Sequence, residues 1–436
     1  MDKPSIIVVA STVHPNAGSE PGKGWWWSKA LSKQFKLHII TQSHSLEYCK
    51  DEKLPKEEGW TFYPTQMSVT TWRIPTGYRQ YAMWLDEVME IAKGIISKEP
   101  IKGLCHITLG SFRMLPRYDR LGIPYTLGPL GGGECSPLSL LFSRKAPFSH
   151  KCSELARPIL NSTFALIPSL RKIMKGASMV LATSLETERL LRRMGARHTQ
   201  VVFPDAYDQP VDVEGIMTLR RNQRDILPKC IRLLWQGRPL WWKAPDLALT
   251  ALKAALERGI KVHLTMICDW KSPVGLSIKS MAGDLGISSH IDFVGFMSRD
   301  ELLQTAKEHH AFLATSMHDS GGIPLIEAQA QGLPCLSPAL GGNRDAACPD
   351  SGVSGSFGNA NDFSSQISKV LSRWKSHPEE WLQECEDAVR FSTTFTNERL
   401  QNYVRAMIYP CFSSNSDDGL MRFKIQSITT PLSDRS

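Results

Sequence analysis

The chain has 436 residues, 42% hydrophobic and 22% charged, with a formal net charge of +8; this is a globular composition with room for two or three domains. The positive charge suits an acidic partner but is spread too thinly for a nucleic-acid binder. Ten cysteines without a Cys-x-x-Cys pair argue against a zinc site or a disulfide framework and fit a reducing cytosol.

The first apolar run, 6–10, is too short for a signal peptide, and no apolar run reaches the length that spans a bilayer. A cytoplasmic location is expected. From there, short β-branched runs alternate with helical segments. Strands are predicted over 5–10, 37–41, 103–108, 125–128, 179–182 and 199–203, then over 231–235, 261–267, 290–294, 311–315 and 334–337. Continuous apolar strands separated by helices indicate parallel sheets covered on both faces. Two such series imply an α/β chain of two doubly wound, Rossmann-like domains. Helices over 363–374, 378–391 and 397–407 close the fold, and a tail rich in Ser, Thr and Asp from 413 is expected to be disordered.

The loop after the first strand reads HPNAGSEPGKGWWWSKAL. Its spacing is neither a Walker A loop nor GxGxxG, which disfavours a dehydrogenase. Gly18 either lets the backbone approach a ligand or makes a tight turn before a helix. Trp25, Trp26 and Trp27 cannot all face one core, so at least one is expected near the interdomain cleft or an acceptor site. Next come LCHITLGSFR and PYTLGPLGGGE. His106 and Thr108 stand at a strand's carboxyl end, where a histidine acts on an acceptor hydroxyl or is simply satisfied by backbone. Gly131–Gly133 offer a backbone cradle or a mobile loop, and Glu134 closes that segment on the acceptor side. Between 138 and 181 seven basic residues, Arg144, Lys145, Lys151, Arg157, Arg171, Lys172 and Lys175, face only Glu154 and alternate with apolar clusters. This reads either as a solvated helical face or as weak peripheral contact with an anionic membrane at its inner face.

The polar stretch 204–229 marks the domain boundary. Beyond it, LLWQGRPLWWKAPDLAL places Arg238 and Lys243 just past a strand's carboxyl end. A planar fork and a mobile point charge together can neutralise a diphosphate. The most informative segment is TSMHDSGGIPLIEAQAQGLPCLSPALGG. Asp319 precedes a predicted helix over 323–331 and Glu327 lies one turn inside it. Pro324 suits the first turn. The amides of Gly321, Gly322 and Ile323 can face an anion there, and the carboxylates can bind hydroxyls, a combination that suits a sugar nucleotide.

These motifs resemble the retaining nucleotide-sugar glycosyltransferases of the GT-B fold, the large family 4 group, over about residues 6–407. HDSGGIPLIEAQAQGLP is similar to that family's Glu-x7-Glu region, with Asp319 in the first acidic place. GRPLWWK, NAGSEPGKGW, HITLGSFR and GIPYTLGPLGGGE continue the likeness, the last two toward a bacterial branch that builds cell-surface polysaccharides. The resemblance implies an acceptor-side domain over 1–208, a linker over 209–229, a donor domain over 230–390 and a helix over 391–412 returning to the first domain. It implies that Arg238 and Lys243 bind the donor diphosphate and that Glu327 holds the ribose. Asp319, with the amides of Gly321, Gly322 and Ile323, would hold the donor sugar and distal phosphate, and Gly18 would approach the phosphates. The expected partners are a nucleoside-diphosphate sugar and a saccharide or lipid-linked saccharide acceptor, without cofactor, metal or nucleic acid.

The chain departs from the family in three places. Cys268 and Trp270 replace a glycine-rich turn, Asp205–Ala206 replaces Asn-Gly ahead of a retained Asp208, and Thr108 stands where many members have histidine. The rival readings are a sugar-nucleotide epimerase of the same fold and a non-catalytic homologue that binds sugar nucleotides.

Overall fold

The computed structural model describes residues 3–15, 19–48, 59–69, 76–207 and 209–413. Gly18, Asp208 and the tail beyond Ser413 lie outside them.

Seven parallel strands form the first sheet: β1 (Ser5–Val9), β2 (Lys36–Gln42), β3 (Trp60–Thr65), β4 (Ile101–His106), β5 (Tyr125–Leu130), β6 (Met179–Ala182) and β7 (Thr199–Val201), in the order β3-β2-β1-β4-β5-β6-β7. Six parallel strands form the second: β8 (Ile231–Gln236), β9 (Val262–Ile267), β10 (Ile291–Val294), β11 (Ala311–Leu313), β12 (Cys335–Pro338) and β13 (Val353–Gly355), in the order β10-β9-β8-β11-β12-β13. Each sheet carries a core on both faces, which is why central strands such as SIIVV and IRLLWQ lack polar alternation. The strands without a counterpart in the sequence expectation are β3 and β13, both at sheet edges. Pro64 interrupts β3, and β13 is three residues long. An edge strand is covered less completely and tolerates proline, so it lacks the apolar run that betrays a central one.

The segment expected as a linker instead holds a helix, Val213–Arg224, packed on the second core through Met217. Arg220, on this helix, is fully buried. Its guanidinium donates to the carbonyls of Gln331 (3.0 Å), His309 (2.5 Å) and Ala306 (3.3 Å). These carbonyls lie in the last turn of the Arg299–Lys307 helix or just past it and the Ile323–Gln329 helix, where a basic group suits the helix end. Burial lowers its pKa to about 10.

Ala360–Ser376 and Pro378–Ser392 cover the second sheet, and the chain then returns to the first. Leu400, Val404, Ile408 and Phe412 join a core with Ile6, Leu37 and Ile39. Gly103 is required there, because a Cβ on it would stand 2.3 Å from the Phe412 ring. The tryptophan run serves this contact rather than the cleft. Trp27 is buried and donates to the Pro204 carbonyl at 2.8 Å. Half-buried Trp25 packs edge-on against Trp60, and the Trp26 carbonyl accepts from Asn397. Among the described residues no helix is long and apolar enough to cross a membrane.

Candidate active site

In open α/β sheets a crevice opens at the carboxyl edge where strand order reverses. Here the reversals fall between β1 and β4 and between β8 and β11. The only non-glycine residues with left-handed backbone among those described are Leu109 (φ 53°) and Ala244 (φ 51°). One lies in the turn after β4, the other in the turn after β8. Such conformations persist where surrounding structure over-determines them, and they gather at functional sites.

The turn after β8 is pinned from the loop that follows the neighbouring strand β11. The Met317 amide donates to the Trp242 carbonyl and the Thr315 hydroxyl to the Lys243 carbonyl, both at 2.8 Å. This aims the Lys243 ammonium at Asp319, with which it pairs. The Trp242 ring carries Lys243 Nζ at 4.7 Å and the Arg238 guanidinium at 6.0 Å from its centroid, and it stacks on His318 at 5.0 Å. Arg238 is exposed and has no carboxylate partner among the described residues. A fixed cation and an open one thus flank a single crevice.

The loop after β11 enters the Ile323–Gln329 helix with Pro324 in its first turn. Gly321 and Gly322 are demanded by close approach rather than by backbone sign. A Cβ on Gly322 would stand 2.1 Å from that of Ala346, and one on Gly321 2.8 Å from Asp205 Oδ2. Glu327 lies buried inside the helix and accepts from Arg299 Nε at 2.7 Å. Burial raises its carboxyl pKa, against the pull of Arg299. Arg238, Lys243, Asp319, Gly321, Gly322, Ile323 and Glu327 therefore share one edge of the second sheet.

The acceptor-side expectations fare differently. His106 is fully buried; one ring nitrogen faces the Tyr118 hydroxyl at 2.7 Å and the other the Thr108 carbonyl at 3.0 Å. Burial lowers its pKa to about 4, so it stays neutral with both nitrogens occupied. This corrects its reading as an acceptor-side residue. Thr108 is also buried, and its Oγ1 receives the Ser11 amide at 2.6 Å, tying β1 to β4. Glu134 is buried and accepts from the Gly132 amide, Ser184 and Thr187 at 2.7–2.8 Å. It holds the glycine loop in shape, with its Cγ close to Gly341 of the other domain, and is not a free acceptor base.

Sequence reasoning missed three groups on the first-sheet side. Lys23 is buried, pairs with Glu20 at 2.8 Å, and faces Asp205 and Asp319 across the crevice. Burial would raise the Glu20 carboxyl, but Lys23 and the Leu109 amide outweigh it and hold it below its ordinary value. Burial pushes Asp205 up to about 6, against Lys23 and with help from Glu20, Asp319 and Glu327. The i, i+3 spacing of Glu20 and Lys23 is visible in SEPGK. The burial of Lys23 against Asp205 is not, because its cause is nearly the whole first domain away in sequence.

The domains are joined next to this crevice. Arg144 and Asp246, both fully buried, form a bidentate pair at 3.1 and 2.5 Å, and Glu154 meets His318 at 3.1 Å. Gly131 abuts Ser320, and Arg344 pairs with Glu186 at 2.8 Å.

The pattern of the family Glycosyl transferases group 1 matches residues 220–385. The chain is 32% identical over 243 residues to a D-inositol 3-phosphate glycosyltransferase of Mycolicibacterium smegmatis, covering 52% of this chain and 53% of that one. It thus spans about half the length of this curated relative. Among solved structures, sucrose-phosphate synthase of Thermosynechococcus elongatus superposes with a TM-score of 0.62 at 15% identity, over 95% of this chain and all of that one. An Anabaena protein solved with UDP and glucose gives a TM-score of 0.59 at 12% identity, over 93% of this chain and all of that one. At such identities the superpositions speak to architecture alone. Residues 220–385 are accordingly similar to the glycosyl transferases group 1 family, and they lie within a two-sheet GT-B fold.

Proposed function

We propose that the chain is a retaining, family 4 type glycosyltransferase. It moves a sugar from a nucleoside diphosphate to the hydroxyl of a saccharide or lipid-linked saccharide, in cell-surface polysaccharide or glycolipid synthesis. The observation that carries this reading is the Lys243–Asp319 pair, with Arg238 and Glu327 beside it at the reversal between β8 and β11. In this reading Arg238 and Lys243 hold the donor diphosphate and stabilise the charge that grows on it as the sugar departs. Lys243 exchanges Asp319 for the diphosphate, which frees Asp319 for donor-sugar hydroxyls. The amides of Gly321, Gly322 and Ile323 support the sugar and distal phosphate, and Gly18 approaches from the first domain. Glu327, oriented by Arg299, holds the ribose. The acceptor attacks on the face the diphosphate leaves, so no protein nucleophile is required. In this reading the two domains close on the donor, position the acceptor and so exclude water.

Thermal shift against UDP-, GDP- and ADP-sugars tests donor binding, because a ligand bound only by the folded state stabilises it. Turnover is then measured over an acceptor panel that includes an inositol phosphate, the compound in the relative's name. Stabilisation by one base class followed by sugar transfer is expected; no stabilisation by any sugar nucleotide overturns the reading. Binding without transfer points to a non-catalytic homologue, and product without acceptor to an epimerase. Transfer is proposed to be metal-independent; strict Mg²⁺ dependence after excess EDTA would refute that.

A further inference from the structure

The Phe148–Leu166 helix leaves one apolar face uncovered by the described residues. Phe148 is 77% exposed, Ile159 69% and Leu166 70%, with Leu155 between them at 37%. Steps of seven, four and seven residues put these four on one stripe of a 3.6-residue helix, running its full length of about 28 Å at 1.5 Å per residue. Leu160 beside the stripe, and Leu138 and Phe142 of the preceding Leu138–Ser143 helix, are also more than half exposed. A contiguous apolar surface of this extent marks an interaction site.

Its charge identifies the partner. From 138 to 181 the single acidic residue is Glu154, buried and bonded to Ser136 and His318. Lys145 just before the helix, and Lys172 and Lys175 just after it, are exposed. Lys172 is shared with Asp119 at 3.5 Å, and a long apolar stripe with exposed Lys145 and Lys175 at its ends matches an anionic bilayer, into which such a helix lies flat at headgroup level. A second copy docking through the same face would bring these lysines together. Arg144, Lys151 and Arg157, counted as basic surface from sequence, are turned to other work: Arg144 pairs with Asp246, and Lys151 and Arg157 bond backbone carbonyls.

We infer that the Phe148–Leu166 helix is a docking face for an anionic lipid bilayer. The opposite side of the helix carries the crevice's acceptor side. Arg157 Nε donates to the Glu134 carbonyl at 2.8 Å, and Arg113 bridges Asn161 at 2.5 Å to the Gly132 carbonyl at 2.8 Å. A docked helix therefore sets the Gly131–Glu134 loop one helix diameter above the lipid. The inference stands without the glycosyl-transfer reading, since it concerns adsorption alone.

The test is flotation of the full chain, at low salt, with phosphatidylcholine vesicles and with vesicles that also contain phosphatidylglycerol. Binding to the second and much weaker binding to the first is expected. Ile159→Ser/Leu166→Ser should lower the partition coefficient at least about tenfold, from the apolar area withdrawn. Lys145→Glu/Lys175→Glu should weaken binding only to anionic vesicles. Melting temperatures of both variants should match the parent, since all four side chains are exposed. Four results would overturn the inference: no flotation with anionic vesicles, flotation unaffected by either variant, an oligomer that the serine variant dissociates, or flotation gained only on removing residues 414–436.

Discussion

The two sheets reach the crevice with the same strand order and opposite chemistry. At the reversal between β8 and β11 the turn presents charge: Arg238 is exposed and Lys243 is aimed by its pinned carbonyl at Asp319. At the reversal between β1 and β4 the turn is sealed. His106 and Thr108 are buried and bonded, and Glu20 and Lys23 neutralise each other. Both turns hold a left-handed non-glycine residue. Shared topology thus supplies two crevices, and side chains decide which one presents open positive charge. The sealed edge serves as a wall that lends Lys23 and Asp205 to the open one.

Four measurements would break or sharpen this contrast. The largest effect is expected at the open edge, where Lys243→Ala and Arg238→Ala should each lower kcat/KM by about 10²–10³, as for loss of a group that stabilises transition-state charge. Near-parental rates in both would remove the anion-binding role. The next falls where the edges meet. Asp205 keeps its proton to about pH 6 when folded, against an ordinary 3.8. Unfolding therefore releases it at intermediate pH, and the stability present below pH 3.8 is lost as pH rises through 6. Asp205→Asn should stabilise the chain by about 3 kcal/mol at pH 7.5 and by almost nothing near pH 3.5. A gain of equal size at both pH values would show that Asp205 is not held protonated. Third, Glu327→Gln should raise the donor KM about tenfold and leave kcat close to parental, as for a group that binds ground and transition states alike. A fall in kcat alone would place Glu327 at the reacting centre. The smallest change is expected at the sealed edge: His106→Gln should keep turnover within about twofold and leave its pH profile unmoved, since a neutral buried histidine carries no proton to the acceptor. Loss of an ionisation from that profile would restore His106 to the chemistry.

Much of the fold was legible because parallel strands buried on both faces must be apolar throughout. Ile231–Gln236 and Met179–Ala182 could hardly be read otherwise. The edges β3 and β13 were not legible, since one is broken by Pro64 and the other is three residues long. At the site, Asp319, Gly321, Gly322 and Glu327 sit within one short segment whose helix start is written in its glycines and proline. Arg238 and Lys243 could be placed because they follow the first strand of their sheet. The role of Arg220 was missed, because a cation in a polar stretch looks solvated until the helix-end carbonyls it caps are folded around it.

What the sequence by itself determined is therefore local: the period of each element, the open turn after β8 and the carboxylate pair around the glycines. Neighbouring residues impose these through polarity and backbone freedom. Tertiary structure decided the pairings. Lys243 meets Asp319 across 76 residues, Arg144 meets Asp246 across 102, and Glu154 meets His318 across 164. A lysine or histidine codes alike for an exposed, paired or sealed side chain. The packing of both sheets settles which, because burial forces each charge to find its partner and each ring nitrogen its hydrogen bond.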